Sequence, residues 1–451
     1  MPYKTMSSHL SLSREKNVLL TFLCRAAKNL YNEALYAVRQ AFINDGTYLS
    51  YGENEKELQN SLNYRFLNSN MAQGIVREVD EAMSAFFGLI RAKQAGRYHG
   101  PIRLPGYMRK DGYRTIVIRF VRTIGREGKL CLDLPRSNLV RHVSRYQEEI
   151  YRSAKRQGYA ETMELENGQH LTFEVPKPIQ DKVIKEVRII PKFQARSFEI
   201  QYVYEWDAEV CDREVIPGTS LSIDLGVNNL ATCVDSDGSS FIIDGKTLKS
   251  RNQLYHKKMA RLSSQNAKTP ETLTRRQIAL ITKRNDQVKY YMNKSARLIV
   301  DYVLQHKIAE IIIGNNEDFQ SGGISKQSLP RRIKGQINQQ FCALPLGQLR
   351  NRLEQLANDY RIVFTLQEES YTSQASFYDN DEIPVFEKGT ETKTGFQGRR
   401  VHRGLYITKT GMRVNADVNA AFNILKKSKP NASFEKIWSR GASTPLRLRV
   451  V

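Results

Sequence analysis

The sequence predicts an α+β protein of several domains, because three kinds of pattern follow one another along its 451 residues. Residues 13–104 place apolar side chains at the three- and four-residue spacing of helices. Residues 105–215 alternate apolar and polar side chains, as the strands of an antiparallel sheet or a small barrel do. From residue 216 onwards, strand-like runs are followed by helices and further strands, which indicates a mixed sheet with helices packed on it.

Two amphipathic helices account for the first part. Ser13 is placed to cap a helix with an apolar stripe over residues 19–42, and the Asp-Gly pair at 45–46 ends it. A second helix follows Asn70 and carries its apolar stripe over residues 75–90. Both stripes are typical of helices that pack against a core.

The middle part contains three alternating runs, at 116–120, 129–134 and 198–204. Because every second side chain is polar, these runs predict strands of a half-buried sheet. A charged stretch at 137–157 predicts a helix inserted in that sheet. The Pro-Gly pair at 217–218 then interrupts the chain, and we place a domain boundary there.

The last part begins with three strand-like runs separated by short turns, at 220–227, 230–236 and 240–244. A long basic helical stretch follows at 247–309. The remaining predicted elements are a buried strand at 311–313, an amphipathic helix at 346–359, a strand at 362–366, a Gly-rich polar loop at 374–404 and a helix at 415–427.

Composition limits the partners that this chain can have. Its 69 Lys and Arg residues against 47 Asp and Glu residues give a formal net charge of +22. That charge favours nucleic acid as a partner over a membrane surface or a merely solubilising role. No stretch approaches the roughly 20 apolar residues of a membrane helix, and residues 1–10 show no signal-peptide core, so we expect a cytoplasmic protein. None of the five cysteines forms a Cys-x-x-Cys pair, so neither a disulfide framework nor a thiolate zinc site is indicated.

In so basic a chain, carboxylates at strand ends are the candidates for chemistry. Asp224 points away from the apolar face of the first strand of the mixed sheet, and burying it without a cation is costly. Asp417 lies in the first turn of the last helix, and Glu368 and Glu369 follow the strand at 362–366. Taken singly, Asp224 could bond to a turn and Asp417 could serve only as a helix cap. Together they fit the converging carboxylates that two Mg²⁺ ions need for nucleic-acid hydrolysis, in the order of an RNase H-like nuclease core.

Three segments resemble motifs of the TnpB family, which are transposon-encoded relatives of type V CRISPR effectors. Residues 223–232 resemble the first RuvC motif of that family, and residues 371–376 resemble its Tyr-Thr-Ser segment. Residues 415–425 resemble its third RuvC motif almost residue for residue. Residues 103–107 and the helix from Met71 resemble its N-terminal half more loosely. The resemblance covers most of the chain and is strongest after residue 220.

The resemblance implies a helical recognition domain inserted in a β-barrel wedge domain, followed by an RNase H-like (RuvC) α/β nuclease domain. The implied boundaries are 1–12 and 105–215 for the wedge, 13–104 for the recognition domain and 216–451 for the nuclease domain, with a basic helical insertion at 247–309 and a target-binding loop at 374–410. The implied activity is cleavage of double-stranded DNA next to a short flanking motif. A guide RNA would pair with one strand while the protein reads the flanking motif, and the protein would be nucleoid-associated when bound to DNA.

The second acid of the implied triad departs from the usual pattern of the family. Most members carry it where this chain has Gly314, whereas a subgroup and the related Fanzor proteins carry it three residues before the Thr-Ser pair. That residue is Glu369 here. The resemblance therefore implies that Asp224, Glu369 and Asp417 are the catalytic residues and hold two Mg²⁺ ions.

Two other acids stay open as alternatives to Glu369, namely its neighbour Glu368 and Glu317 in the loop after residue 314. We further expect Gly314 and Glu369 to be coupled. Because adjacent strands lie about 4.8 Å apart, a glutamate on the outer strand needs an open path, and a residue without a side chain leaves one. The alternative is that Gly314 is only a turn glycine.

The second departure concerns zinc. The family usually has a four-cysteine ribbon before its third motif, but residues 374–416 contain no cysteine, and His402 is the one soft ligand among them. Because structural zinc needs four ligands, no zinc is predicted. The segment keeps Arg399, Arg400 and Arg403, which predicts phosphate contact, although an exposed basic loop could also make none.

Two other functions stay open at this point. A nuclease-inactive, RNA-guided DNA-binding repressor would share the same domains, and a strand-transferring transposase would use the same kind of acidic triad. Both monomer and dimer also stay open.

Overall fold

The structure is a computed structural model. It describes residues 3–119, 121–126, 129–133, 141, 143–156, 171–206, 213–265, 273–315, 344–385, 395–402, 404–441 and 444–450. The chain divides into two compact units, Met1–Ala208 and Glu209–Val451. None of the described helices is both long and apolar enough to cross a membrane.

Four helices begin the first unit: α1 (Arg14–Asp45), α2 (Tyr51–Leu58), α3 (Leu62–Phe66) and α4 (Ser69–Gln94). Ser13 caps α1 by accepting a hydrogen bond from the Lys16 N–H, and Gly46 ends it in the left-handed conformation, so both predicted ends are confirmed. The short helices α2 and α3 were not predicted. The second predicted helix, α4, starts slightly earlier than expected because Asn68 rather than Asn70 caps it.

The strands of the first unit form two antiparallel sheets. They are β1 (Tyr3–His9), β2 (Ile116–Ile118), β3 (Arg122–Arg126), β4 (Lys129–Asp133), β5 (Thr172–Glu174), β6 (Ile184–Lys192) and β7 (Ser197–Glu205), with helix α5 at Gln147–Arg156. One sheet has the order β1-β7-β6-β2 and the other β3-β4-β5. No described strand pairs with both sheets, so the expected closed barrel is not seen in the part of the chain that the structure describes.

A six-stranded mixed sheet forms the centre of the second unit, in the order β12-β11-β8-β9-β10-β16. Its strands are β8 (Ile216–Leu225), β9 (Asn229–Asp235), β10 (Ser240–Asp244), β11 (Ile308–Asn315), β12 (Val363–Glu368) and β16 (Leu446–Leu448). β8, β9 and β10 are successive antiparallel strands, whereas β11 lies parallel to both β8 and β12. The mixed sheet predicted from the strand-like runs is confirmed, and the edge strand β16 is an addition.

Helices cover both faces of this sheet: α6 (Lys246–Gln265), α7 (Arg275–Gln305), α8 (Leu346–Asp359), α9 (Ala416–Ser428) and α10 (Glu435–Arg440). On one face Ile223 and Ile311 pack in a core with α7 and α8. On the other face Ile312 packs with Phe422 and Ile424 of α9. The predicted basic stretch at 247–309 is two helices, and it ends earlier than expected because Ile308 already pairs with β8.

The predicted polar loop at 374–404 is partly sheet. β13 (Arg399–His402), β14 (Leu405–Ile407) and β15 (Arg413–Asn415) form a small antiparallel sheet directly before α9. The expectation of a loop there was wrong for the described strand residues, because their short runs lack the apolar alternation by which strands were recognised. The residues of β13 are exposed on both faces.

Candidate active site

Asp224 lies near the end of β8, on the face that α9 covers. Alternation along the strand buries Leu221 and Ile223 in the core on one face. Ser222, on the opposite face, donates a 2.9 Å hydrogen bond to the Ala421 carbonyl of α9. Asp224 has the same orientation as Ser222 and is therefore directed toward the beginning of that helix.

Asp417 lies in the first turn of α9. The Asn415 side chain caps the helix by accepting hydrogen bonds from the Asp417 and Val418 N–H groups at 3.0 and 3.2 Å. The Asp417 carboxylate has two further donors. Its Oδ2 accepts a 2.7 Å hydrogen bond from Asn229 Nδ2, and its Oδ1 lies 3.0 Å from a guanidinium nitrogen of Arg400.

Glu369 directly follows β12 and occupies the space beside Gly314. A β-carbon at position 314 would lie 2.6 Å from Glu369 Oε2 and 2.8 Å from Ile424 Cδ1, which is closer than atoms approach. The φ of Gly314 is not positive, so close packing and not backbone conformation requires glycine here. The expected open path for Glu369 is therefore present in the structure.

The three predicted acids act on one another electrostatically. Burial raises the pKa of Asp224 well above its ordinary value, and the negative charges of Glu369 and Asp417 raise it further, while Arg400 lowers it. Asp224 therefore lies close enough to Glu369 and Asp417 for their charges to act on it. Converging carboxylates of this kind favour hard divalent cations.

The side chain of Glu368 is committed elsewhere. It forms an ion pair with Lys427, which is 7% exposed, and it accepts a 2.6 Å hydrogen bond from the Ser370 N–H. Although burial alone would raise the pKa of Glu368, the hydrogen bonds from Lys427 and Ser370 lower it. Glu368 therefore joins β12 to α9 and keeps its charge for that purpose. Glu317, the other alternative, lies outside the described residues, as does Arg403.

Sequence analysis missed the residues that hold the site together. Glu310 is buried on β11. Its carboxylate forms an ion pair with Lys429 at 2.6 Å and accepts hydrogen bonds from the hydroxyl groups of Thr365 at 2.6 Å and Ser220 at 3.2 Å. This cluster fixes the end of α9 that lies opposite to Asp417. A buried glutamate inside a strand whose other positions are apolar was the signal that could have indicated it.

Two asparagines of α9 fix the segment that follows Glu369. Asn419 Nδ2 donates to the Ala375 carbonyl at 2.8 Å, and its Oδ1 accepts from the Phe377 N–H at 3.0 Å. Asn423 Nδ2 donates to the carbonyls of Thr372 and Ala375 at 2.8 and 2.7 Å. The asparagines of the last motif are thus structural, because they connect the helix of Asp417 to the loop of Glu369.

The described residues contain no group of three or more His, Cys, Asp or Glu side chains already placed around one metal position. A guanidinium nitrogen of Arg400 lies 3.0 Å from Asp417 Oδ1. The donor set on β8, at the end of β12 and on α9 fits hard cations, because carboxylate oxygens are the ligands that such ions take. Asp224, Glu369 and Asp417 are therefore the residues that would hold Mg²⁺.

The basic helices present the predicted cations to solvent. Lys283, Lys289 and Lys294 of α7 are exposed, whereas Val288 and Met292 on the opposite side are buried in the core. Arg284 is turned inward and donates a 2.8 Å hydrogen bond to Asn252 of α6. Part of the predicted basic surface thus holds the helix pair together, and the three lysines lie on its exposed side.

Two family models match the chain in consecutive segments. The OrfB_IS605 model, described as a probable transposase, matches residues 201–320, and the Cas12f1-like TNB domain model matches residues 347–424. Asp224 falls in the first match, and Glu369 and Asp417 fall in the second. TnpB-like protein ORF457 of Acidianus two-tailed virus is 24% identical over 435 residues, which cover 90% of this chain and 82% of that protein.

The two family models and the viral relative make this chain similar to proteins of the TnpB family. Among solved structures, a Cas12f1 complex with single-guide RNA and target DNA is similar with a TM-score of 0.49 and 14% identity, over 92% of this chain and 83% of that one. The mini-RNA-guided endonuclease CRISPR-Cas phi3 is similar with a TM-score of 0.40 and 10% identity, over 94% of this chain and 92% of that one. These matches confirm the resemblance to the TnpB family that the three sequence motifs indicated.

Proposed function

We propose that this chain is an RNA-guided, magnesium-dependent endonuclease that cuts double-stranded DNA next to a short flanking motif. The observation that carries the proposal is that Glu369, which fills the space beside Gly314, and Asp417 both act electrostatically on Asp224, within the segments that match the family models. The similar Cas12f1 structure is a complex with single-guide RNA and target DNA, and the net charge of +22 suits the same partners here.

The mixed sheet would be the RuvC-like nuclease domain, with its catalytic edge where β8 and β12 end and α9 begins. When bound, two Mg²⁺ ions would activate the attacking water and stabilise the leaving oxygen of the phosphodiester. Asp224 would provide the buried ligand, and Glu369 would reach the site across Gly314. Asp417 would present Oδ1, since Asn229 already holds Oδ2.

Arg400 would exchange partners as the substrate enters. In the structure it neutralises Asp417, and it belongs to an exposed strand of the segment that matches the target-binding model. A DNA phosphate offers a guanidinium a bidentate partner. Transfer of Arg400 from Asp417 to a phosphate would free the carboxylate oxygen and hold the scissile strand. The segment would do this without zinc, since it contains no cysteine.

The test begins with RNA. The protein is expressed together with the DNA that flanks its gene, and the RNA that copurifies is sequenced to identify the guide. The loaded protein is then incubated with plasmids that carry the matching target beside randomised flanking sequence, with Mg²⁺ or with EDTA. Magnesium-dependent double-strand cleavage that selects one flanking motif supports the proposal, and Asp224→Ala protein serves as the inactive control.

The same experiment separates the two other candidates. Guided binding of the target by wild-type protein without cleavage would indicate a nuclease-inactive, RNA-guided repressor. Joined DNA ends without a bound guide RNA would indicate a transposase. The three acids favour the nuclease over the repressor, because a decayed site would not keep them together with the space that Glu369 requires. We propose that the nuclease acts in the cytoplasm of a prokaryote and on transposon-associated DNA.

A further inference from the structure

A chain of four polar side chains leads from the last strand of the sheet to Asp417. Arg447, on β16, donates hydrogen bonds to Asp244 Oδ1 at 3.1 Å and to Asn229 Oδ1 at 2.9 Å. Asn229 in turn donates to Asp417 Oδ2 at 2.7 Å. We propose that Arg447 is a positioning residue for the active site and that it orients Asp417 through Asn229. This inference rests on the proposed function, because it deepens the role of Asp417 as a metal ligand.

The amide of Asn229 could be oriented in either of two ways. The two ends of an asparagine side chain have nearly the same shape, so its orientation is set by its partners. Arginine can only donate hydrogen bonds, and an ionised carboxylate can only accept them. Arg447 therefore fixes Asn229 Oδ1 on its own side, and the NH₂ group of Asn229 must face Asp417.

Arg447 is itself fixed by a buried partner. The Asp244 side chain is 6% exposed and shares its ion pair with Arg447, whose register opposite Ile242 places it at the sheet edge. The backbone around Asp244 is tightly constrained, because the Tyr291 hydroxyl donates to its carbonyl and a β-carbon at Gly245 would lie 2.3 Å from the Val227 carbonyl oxygen. A firmly held anion thus defines the position of the guanidinium.

The two donors to Asp417 differ in kind. Asn229 belongs to the central sheet and is held from behind by Arg447, whereas Arg400 contacts Asp417 from an exposed strand. The donor at Oδ2 is therefore the permanent one. It sets the rotation of the carboxylate and hence the direction in which Oδ1 faces a metal. Removing such supports of metal ligands typically costs about 10- to 100-fold in metal affinity.

The experiment measures Mn²⁺ binding to the full-length protein by electron paramagnetic resonance, alongside DNA cleavage. Arg447→Gln is expected to weaken Mn²⁺ binding about tenfold and to raise the Mg²⁺ concentration for half-maximal cleavage by a similar factor. Arg449→Gln is the matched control, because Arg449 is an exposed arginine of the same terminal segment, and we expect it to bind Mn²⁺ like the wild type.

A double-mutant cycle separates positioning from folding. If Arg447 acts through Asn229, the double variant Asn229→Ala/Arg447→Gln should bind Mn²⁺ no more weakly than Asn229→Ala alone. Arg447→Gln leaves Asp244 buried without its cation, so Asp244→Asn/Arg447→Gln is measured as well and should keep the weakened affinity while regaining thermal stability.

Three results have separate meanings. Unchanged Mn²⁺ affinity in Arg447→Gln, or additive losses in the cycle, would overturn the proposal even if the protein cuts DNA. A wild-type chain that binds Mn²⁺ and loses affinity in Arg447→Gln but cuts no DNA would support the positioning role and overturn only the proposed function. A wild-type chain that binds no Mn²⁺ would overturn both.

Discussion

Replacing Gly314 by alanine tests whether the space beside β11 belongs to the Glu369 carboxylate. The added carbon would lie 2.6 Å from Glu369 Oε2, so the carboxylate must retreat by about 0.8 Å to restore an ordinary contact of 3.4 Å. Because a displacement of about 1 Å at a reacting centre costs on the order of 100-fold in rate, we expect cleavage to slow by about 10- to 100-fold. Gly314→Leu should slow it further, although neither change removes a ligand.

Stability should suffer much less than activity. Both obstructing atoms, Glu369 Oε2 and Ile424 Cδ1, are at the ends of side chains and can rotate away, so overpacking should cost about 1–3 kcal/mol. The matched control is Gly347→Ala in α8, where no atom lies within 4 Å of the added carbon. That change should leave cleavage unaltered and stabilise the helix by about 1 kcal/mol.

The assay is single-turnover cleavage of a plasmid by guide-loaded protein at saturating Mg²⁺, with thermal unfolding measured on the same samples. Glu369→Ala should be inactive and Glu368→Ala should retain activity, since Glu368 serves Lys427. A Gly314→Leu protein that cuts at the wild-type rate would refute the coupling, and an active Glu369→Ala protein would refute the assignment itself.

Three further predictions concern the charges of the site. Asp224→Ala and Asp417→Ala should each abolish cleavage yet leave guided DNA binding nearly intact in gel-shift assays, because they remove metal ligands and no phosphate contacts; near wild-type cleavage by either would contradict the triad. Asp224→Asn should stabilise the metal-free protein at pH 8 by about 1 kcal/mol. The pKa of Asp224 is raised in the folded state, so the folded chain retains this proton longer than the unfolded chain does, and stability falls as pH rises from the unfolded pKa through the folded one. The midpoint of thermal unfolding in EDTA should therefore decline across this pH range for the wild type and decline less for Asp224→Asn. Parallel curves for the two proteins would contradict this prediction. Arg400→Gln should tighten Mn²⁺ binding about fivefold in the absence of nucleic acid, since a partly exposed ion pair is worth up to about 1 kcal/mol; weaker binding in a calorimetric titration would show that Arg400 supports the ligand instead of competing with the metal.

The strands of the mixed sheet could be predicted because their signals are local. Alternation on β8, the buried run of β11 and the cap at Asn415 each indicate an element without knowledge of the rest. Ser13 and the Asp-Gly pair defined α1 for the same reason. Elements without a clear local signal were missed, because α2 and α3 are short and β13 has no apolar alternation.

The candidate site was predictable only as far as motifs extend. Asp224 and Asp417 are conspicuous as acids next to apolar runs, and the space that Glu369 needs was inferred from Gly314. Arg447 carries no such signal, because its importance comes from partners that are far away in sequence. Arg447 and its partner Asn229 are separated by 218 positions, a distance over which no local pattern operates.

The asparagines of α9 have a consequence for how this part of the protein can change. Asn419 and Asn423 bind the Tyr-Thr-Ser loop to the helix across 42 to 51 positions of sequence, so the two stems of the intervening segment are fastened to each other at their base. The chain between them is therefore an insertion whose two ends are held together by hydrogen bonds. Such an insertion needs no internal cross-link to hold its two ends together. It can be shortened, rebuilt or exchanged while the carboxylates of Glu369 and Asp417 stay in place. The fastened ends can therefore carry a target-binding segment that lacks the cysteines usual in the family.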